Sequence, residues 1–413
     1  MKRGFLTLLA AAALSTSAWA SGYQVLLQSN RSTAMGNVGV GLRPDPSSIN
    51  FNPGAMAMMR SNGVQLGANL IYADIAFRPD TDPNTIYRTD NGTGTPFHLF
   101  ATFGDTEGPL RFGLGVYTPY GSGVNWGSEW EYSTSLKSID LAAIFIQPTV
   151  SYKITDQLSV GAGLIYAVGS VNLQRNTDFF GNTVGAELDG SASGWGYNLG
   201  ISYAPNDKLM IGLNYRSQVD MEVEDGEAIF TNVPDEDQAG LIPDQTSFSS
   251  TLPLPSYLTL GLSYKATDKL TLAADISRAG WDAYQSLTFT YGQQVGGSSE
   301  TTAPRNYENS YTYKFGAEYA ISDMFMLRAG TYYDESPVQD GYLTAETPDA
   351  NTWGYTGGFG IMLSERFSID ASVLFINKEE RENIDLEIEG LDNPIGSYKS
   401  QAFIPGITLT ANF

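Results

Sequence analysis

Apolar residues alternate one-for-one with polar residues or glycine along most of this chain. That period belongs to β-strands, whose successive side chains point to opposite faces. Leu158, Val160, Ala162, Leu164, Tyr166 and Val168 alternate with Ser159, Gly161, Gly163, Ile165, Ala167 and Gly169. Leu258, Leu260, Leu262 and Tyr264 alternate with Tyr257, Thr259, Gly261 and Ser263. Phe367, Ile369, Ala371, Val373 and Phe375 follow the same rule, and Trp353, Tyr355, Phe359, Ile361 and Leu363 share a face with Gly357. Leu209, Ile211, Leu213, Tyr215, Val219, Met221 and Val223 read as one apolar face, opposite Met210, Gly212, Asn214, Arg216, Gln218, Asp220 and Glu222. Such a face is covered either by a second sheet, as in a soluble sandwich, or by lipid, as in a membrane barrel of strands about 9–11 residues long.

The start of the chain favours the envelope. Lys2 and Arg3 precede an apolar or small-residue run from Phe5 to Leu14, and Ala18-Trp19-Ala20 is a small-x-small cleavage site. This is the form of an export signal over residues 1–20, too short to span a bilayer. The mature chain is expected to begin at Ser21, and loss of Lys2 and Arg3 takes the formal charge from −22 to −24. An exported chain with no cysteine suits a Gram-negative envelope better than a eukaryotic secretory route, where disulfides are common. The missing thiols exclude disulfide frameworks, thiolate zinc sites and cysteine nucleophiles. The acidic balance, 45 Asp+Glu against 23 Lys+Arg, argues against nucleic-acid binding. A single histidine, His98, leaves His-dependent catalysis one candidate base, with no Ser or Asp constellation beside it. Asp80-x-Asp82-x-Asn84 lacks the later glycine and glutamate of a calcium loop, so no metal and no cofactor are expected.

Short polar turns at Thr155-Asp156, Asn206-Asp207, Thr267-Asp268, Ser322-Asp323 and Ser364-Glu365 punctuate the runs. Long polar stretches at 175–190, 222–250, 290–309, 335–350 and 378–399 are expected to be loops at the opposite end. Short turns at one end and long loops at the other characterise outer-membrane barrels. The acidic runs at 220–227, 235–237 and 379–392 are read as solvated outer loops, with cation-mediated contact to lipopolysaccharide as the alternative. About fourteen strands are expected, starting near 62, 96, 109, 138, 157, 192, 208, 249, 269, 309, 324, 351, 366 and 401. The last strand ends in Phe413, with Ala411, Leu409, Ile407, Pro405 and Phe403 on its face, similar to the signal read by the barrel-assembly machinery. The expectation is an all-β transmembrane antiparallel barrel over 61–413.

Residues 21–60 lack sustained alternation, yet Val25, Leu26, Leu27, Met35, Ile49 and Phe51 argue against a free tail. Ser21-Gly-Tyr-Gln, Met35-Gly-Asn and Asp45-Pro-Ser-Ser-Ile-Asn-Phe-Asn-Pro-Gly54 resemble the N-terminal hatch of the FadL/TodX family of outer-membrane long-chain fatty-acid and hydrocarbon transporters. Leu252-Pro-Leu-Pro-Ser256, Ser277 to Trp281, Ala329 to Pro337 and the Gly- and aromatic-rich strand at 353–361 continue the likeness in order. The family's Asn-Pro-Ala motif stands here as Asn52-Pro53-Gly54, and the glycine implies a looser turn.

The resemblance implies a monomeric fourteen-stranded barrel plugged by residues 21–60. A hydrophobic ligand would be captured at the outer face, held beside the hatch and released laterally at a kink in the third strand. Pro119-Tyr120-Gly121 falls at the kink position, where proline lacks a ladder donor. Arg175 matches one family position for a basic ligand-binding residue, and Tyr23 matches an aromatic that lines the pocket. The second basic position is occupied by Glu308, with Arg305 three residues earlier, which opens a neutral hydrocarbon as the alternative to a carboxylate ligand. The competing reading of the whole chain is a general porin or a loop-based adhesin or receptor barrel.

Overall fold

The computed structural model describes residues 22–127, 129–179, 181–234, 241–384, 386–388 and 393–413. The expected export signal, Ser21 and the acidic run at 235–237 lie outside the described residues. Among those described, the strand segments join into fourteen wall strands. They are β1 (Gly63–Asn69, then Tyr72–Pro79), β2 (Phe97–Phe103), β3 (Leu110–Asn125), β4 (Ser138–Lys153) and β5 (Leu158–Phe179). Next come β6 (Asn182–Asn206), β7 (Leu209–Arg216, then Val219–Thr231), β8 (Gln245–Leu254, then Tyr257–Lys265) and β9 (Leu270–Ala279, then Ser286–Val295). The last are β10 (Ser298–Pro304, then Ser310–Ala320), β11 (Phe325–Asp334), β12 (Thr352–Met362), β13 (Phe367–Lys378) and β14 (Gly396–Asn412). Each strand pairs antiparallel with the next. β14 returns to β1, in register from Gly63↔Asn412 to Asn69↔Gly406 and again from Tyr72↔Phe403, so the sheet closes into a barrel without free edges.

The alternation read from sequence turns outward. Leu260 is 50% exposed, whereas Thr259 and Ser263 on the opposite face are 6% and 5%. A wall with apolar residues outside and polar or glycine residues inside is stable only in lipid. Tyr152, Tyr203, Tyr264, Tyr319 and Phe367 ring the short-turn end outside, and Tyr72, Trp195, Tyr311, Trp353 and Tyr355 stand exposed toward the other end. These are the two aromatic girdles of an apolar belt. No described helix is long and apolar enough to cross a membrane, so the crossing is made by strands.

Three stretches expected as loops are largely strand. β5 and β6 extend as one hairpin through 175–190, so β6 begins at Asn182 and not near 192. Strands also run into 222–250 and 290–309, and β8 and β14 begin at Gln245 and Gly396. The reason is an inversion of the wall. In this outer extension Val184, Ala186, Leu188, Val223, Ala228, Phe230 and Phe248 face inward and pack together, while Asp189, Glu222, Glu224 and Glu227 face water. Polar outward residues made the segment look like loop. The one-face reading of 209–223 also fails midway. β7 is interrupted at Ser217-Gln218, where the Ser217 N–H bonds the Tyr197 carbonyl, and the side-chain parity flips. Leu213 therefore faces lipid, whereas Val219, Met221 and Val223 face the interior.

Candidate functional site

The site is assembled from the N-terminal segment, the inward face of the wall and one outer loop. α1 (Asn30–Thr33) is capped by Ser29, and Arg31 on it pairs with Asp45 (3.2 Å) and with Glu318 of β10 (3.5 Å). Arg328 of β11 joins this network through Glu318 (2.7 Å) and Asp370 of β13 (2.5 Å). Asp275 of β9 accepts from the Gly39 and Val40 N–H groups at 2.7 and 3.1 Å. After α2 (Ser48–Phe51), Asn52 caps a short 3-10 helix, Pro53–Met58, by accepting from the Gly54 N–H at 3.1 Å. Its amide donates to the Val40 carbonyl (3.1 Å) and to the Ile201 carbonyl of β6 (3.0 Å). The Gly54 carbonyl accepts from Ser151 (3.0 Å) and Ser159 (2.6 Å) of the wall. A Cβ on Gly54 would lie 2.7 Å from the Gly200 oxygen. The glycine is thus a close-approach residue in a tightly held turn, not the looser one expected.

His98 belongs to this same packing. Its Nε2 meets Thr408 Oγ1 at 3.0 Å, and its ring stacks on Phe100.

β3 departs from a regular wall strand. Its pairing with β2 runs from Phe103↔Phe112 to His98↔Tyr117 and then ends in side-chain bonds of Thr118 to the Phe97 backbone (3.0 and 3.2 Å). Contact with the chain leading into β2 resumes at Asn125, whose carbonyl accepts from the Asp90 N–H at 2.8 Å. Between these points the partner of β3 is the N-terminal segment. The Val25 N–H bonds the Pro119 carbonyl (2.8 Å), the Gly121 N–H bonds the Tyr23 carbonyl (3.0 Å), and Gln24 bridges Tyr120. On the other side the register with β4 slips between Tyr117 and Tyr120, where three steps on β3 match two from Phe145 to Ala143. Exposure no longer alternates from Tyr117 to Val124, all of which are buried. Pro119 has no N–H to lose, so it tolerates this break.

Beside the break lies a narrow cavity that opens to solvent. Its walls are Ile139, Leu141, Val171, Leu173, Met221, Val223, Leu252, Leu254, Leu287 and Phe289, with Tyr23 also in the lining. The Tyr23 hydroxyl donates to the Pro253 carbonyl at 2.5 Å, and its ring meets Trp281 edge-on at 5.0 Å. Burial, reinforced by Tyr284 and Tyr307, raises the Tyr23 pKa and keeps the phenol neutral.

The polar end of the cavity is Arg305, Glu346, Tyr284 and Thr347. Arg305 is 4% exposed; its guanidinium donates to Glu346 (3.3 Å) and to the Tyr284 hydroxyl (3.2 Å). Burial by itself lowers the Arg305 pKa, but Glu346, Tyr284 and Tyr307 outweigh it and carry it above the ordinary value. The charge therefore persists at any working pH. Glu346 lies on the loop between β11 and β12, which folds inward. The Trp126 indole N–H donates to the Ala345 carbonyl (3.1 Å), and Asp349 forms a buried ion pair with Lys378.

Tyr23 and Arg305 thus line one cavity, and Tyr23 also touches the β3 break. Arg175 does not line the cavity. It pairs with Ala186 in the outer hairpin, two residues beyond the cavity-lining Leu173 on the same strand. Glu308 is exposed, its N–H bonded to the Pro337 carbonyl. Asn52, Pro53 and Gly54 sit away from the cavity, against β4 to β6. Sequence reasoning missed Glu346 and also Arg216, which donates to Asn50 at 2.5 Å. Glu346 carried no signal, because its partner is 41 residues away across a loop. Arg216 was legible only as a cation on an inward strand face.

The family model described as outer membrane protein transport protein (OMPP1/FadL/TodX) matches residues 11–413. The chain belongs to this family. It is 21% identical to the long-chain fatty acid transport protein of Escherichia coli K12, over 89% of this chain and 90% of that one. The fold matches a Pseudomonas aeruginosa FadL homologue with a TM-score of 0.83 at 20% identity, covering 95% of this chain and all (100%) of the other. It also matches the toluene transporter TodX of P. putida, with a TM-score of 0.75 at 20% identity over 96% and 99% of the two chains. As a FadL/TodX-family member the protein is an outer-membrane transport channel and not an enzyme.

Proposed function

We propose that the protein takes up hydrophobic small molecules, long-chain fatty acids or hydrocarbons, and releases them sideways into the membrane. The ligand rests in the apolar cavity, and residues 21–60 act as the plug that denies it a straight path through the barrel. Exit is through the wall at Pro119, Tyr120 and Gly121. The observation that carries this reading is the double role of Tyr23, whose ring lines the cavity and whose carbonyl bonds β3 where β2 has left it. A small displacement of Tyr23–Val25 would join cavity to membrane. An apolar molecule gains by moving from one apolar surface to another and loses by entering a water-filled bore. The relatives named for long-chain fatty acids and for toluene both handle hydrophobic cargo, which supports the class. Arg175, farther out, would meet a polar headgroup on approach, ahead of Arg305. The barrel works as a monomer surrounded by lipid and lipopolysaccharide, inserted by the assembly machinery through Phe413.

Deleting Pro119 tests the exit. It removes the extra residue of β3 and restores register with β4. The barrel should still assemble, seen as a folded band that shifts on heating in gel electrophoresis, while uptake of labelled ligand into cells is lost. Uptake at the normal rate by a folded deletion variant would refute lateral release.

A further inference from the structure

The cavity carries a cation that its own chain has already neutralised. Arg305 and Glu346 both line it, 3.3 Å apart, and the guanidinium also binds the Tyr284 hydroxyl. Their side chains are 5% and 17% exposed. The rest of the lining carries no charge: it is mostly apolar, with Leu141, Val171, Met221 and Leu252, and its polar groups are neutral hydroxyls such as Ser122. An ionised carboxylate entering this site would lose its water, find its natural partner occupied and lie beside a second carboxylate. An uncharged polar end meets no such conflict. A hydroxyl accepts from Arg305 and donates to Glu346, leaving the ion pair in place.

We propose that Glu346 is a specificity-determining residue, an internal counter-ion through which the cavity favours long-chain molecules with an uncharged polar end, such as primary alcohols, over carboxylates of the same chain. The inference rests on the uptake reading above, since it assumes that ligands occupy this cavity. It selects among them by the charge at one end.

The test uses the full-length protein in detergent at about pH 8, where dodecanoate is ionised. Dissociation constants for dodecanol, methyl dodecanoate and dodecanoate are measured as mole fractions in the micelle by displacement of a fluorescent fatty alcohol. Wild-type protein should bind dodecanol and the methyl ester at least roughly tenfold more tightly than dodecanoate. Glu346→Gln frees Arg305 for the ligand and should move the dodecanoate-to-dodecanol ratio roughly tenfold toward dodecanoate. Arg305→Gln, which leaves Glu346 alone, should move it the other way. Equal wild-type affinities for ester and carboxylate overturn the inference without any variant, and so does an unchanged ratio in a folded Glu346→Gln protein. In both outcomes the uptake reading survives, because ligand still binds. Failure of all three ligands to bind wild-type protein would overturn the uptake reading and this inference together.

Discussion

Asn52 holds three backbone groups at once, two on the N-terminal segment and one on the wall. Replacing it with alanine takes a donor from the buried Val40 carbonyl and from the half-buried Ile201 carbonyl and removes the cap, the buried bond and the cap each worth about 1–2 kcal/mol. The expected outcome for Asn52→Ala is a barrel that assembles but whose N-terminal segment, up to residue 60, becomes accessible to protease in detergent. Gly54→Ala, which restores the family's usual residue, should lower the melting temperature in this chain, because the added methyl meets the Gly200 oxygen. These positions also show what the sequence could reveal. Asn52-Pro53-Gly54 stands out as a short motif, and Pro119 as a residue that brings no N–H to a hydrogen-bond ladder. The Arg305–Glu346 contact was invisible, since nothing local to Thr344-Ala345-Glu346-Thr347 marks a charge that will be buried.

Elements were legible in proportion to how much lipid they face. β8, β12 and β13 repeat apolar residues at every second position because the bilayer demands it, and the expected starts of β12 and β13, near 351 and 366, lie within a residue of Thr352 and Phe367. The β5–β6 extension stands beyond the apolar belt, so its outward residues turn polar and its apolar ones turn inward, a pattern that reads as loop. The inward-folded loop between β11 and β12 depends on chemistry that no periodicity reports. Lys378 and Asp349 are both nearly inaccessible there, 1% and 0% exposed. Lys378→Met strands a buried carboxylate and should loosen the loop by roughly 3–5 kcal/mol, whereas replacing both partners by apolar residues should recover much of that. Hydrogen exchange over 335–351 distinguishes the two variants. Slow exchange in Lys378→Met would mean that the ion pair does not anchor the loop.

At the scale of the molecule, a ring of fourteen strands is wide enough to need filling if it is to be closed to water. The N-terminal segment touches every wall strand from β3 to β14. Deleting residues 21–60 should raise single-channel conductance in planar bilayers by roughly tenfold or more, into the range of an open pore. A general porin would conduct before the deletion and change little. The pairing of β1 with β14 has a further consequence. The Asn62 and Phe413 backbones exchange hydrogen bonds of 3.2 and 3.0 Å, so the hoop is fastened by the two ends of the wall. Until β14 pairs with β1, the wall is an open curved ribbon. The N-terminal segment that lies in the bore ends at the very clasp that shuts it, so it can be wrapped from the side as the ribbon rolls up and need never be threaded through a finished hole.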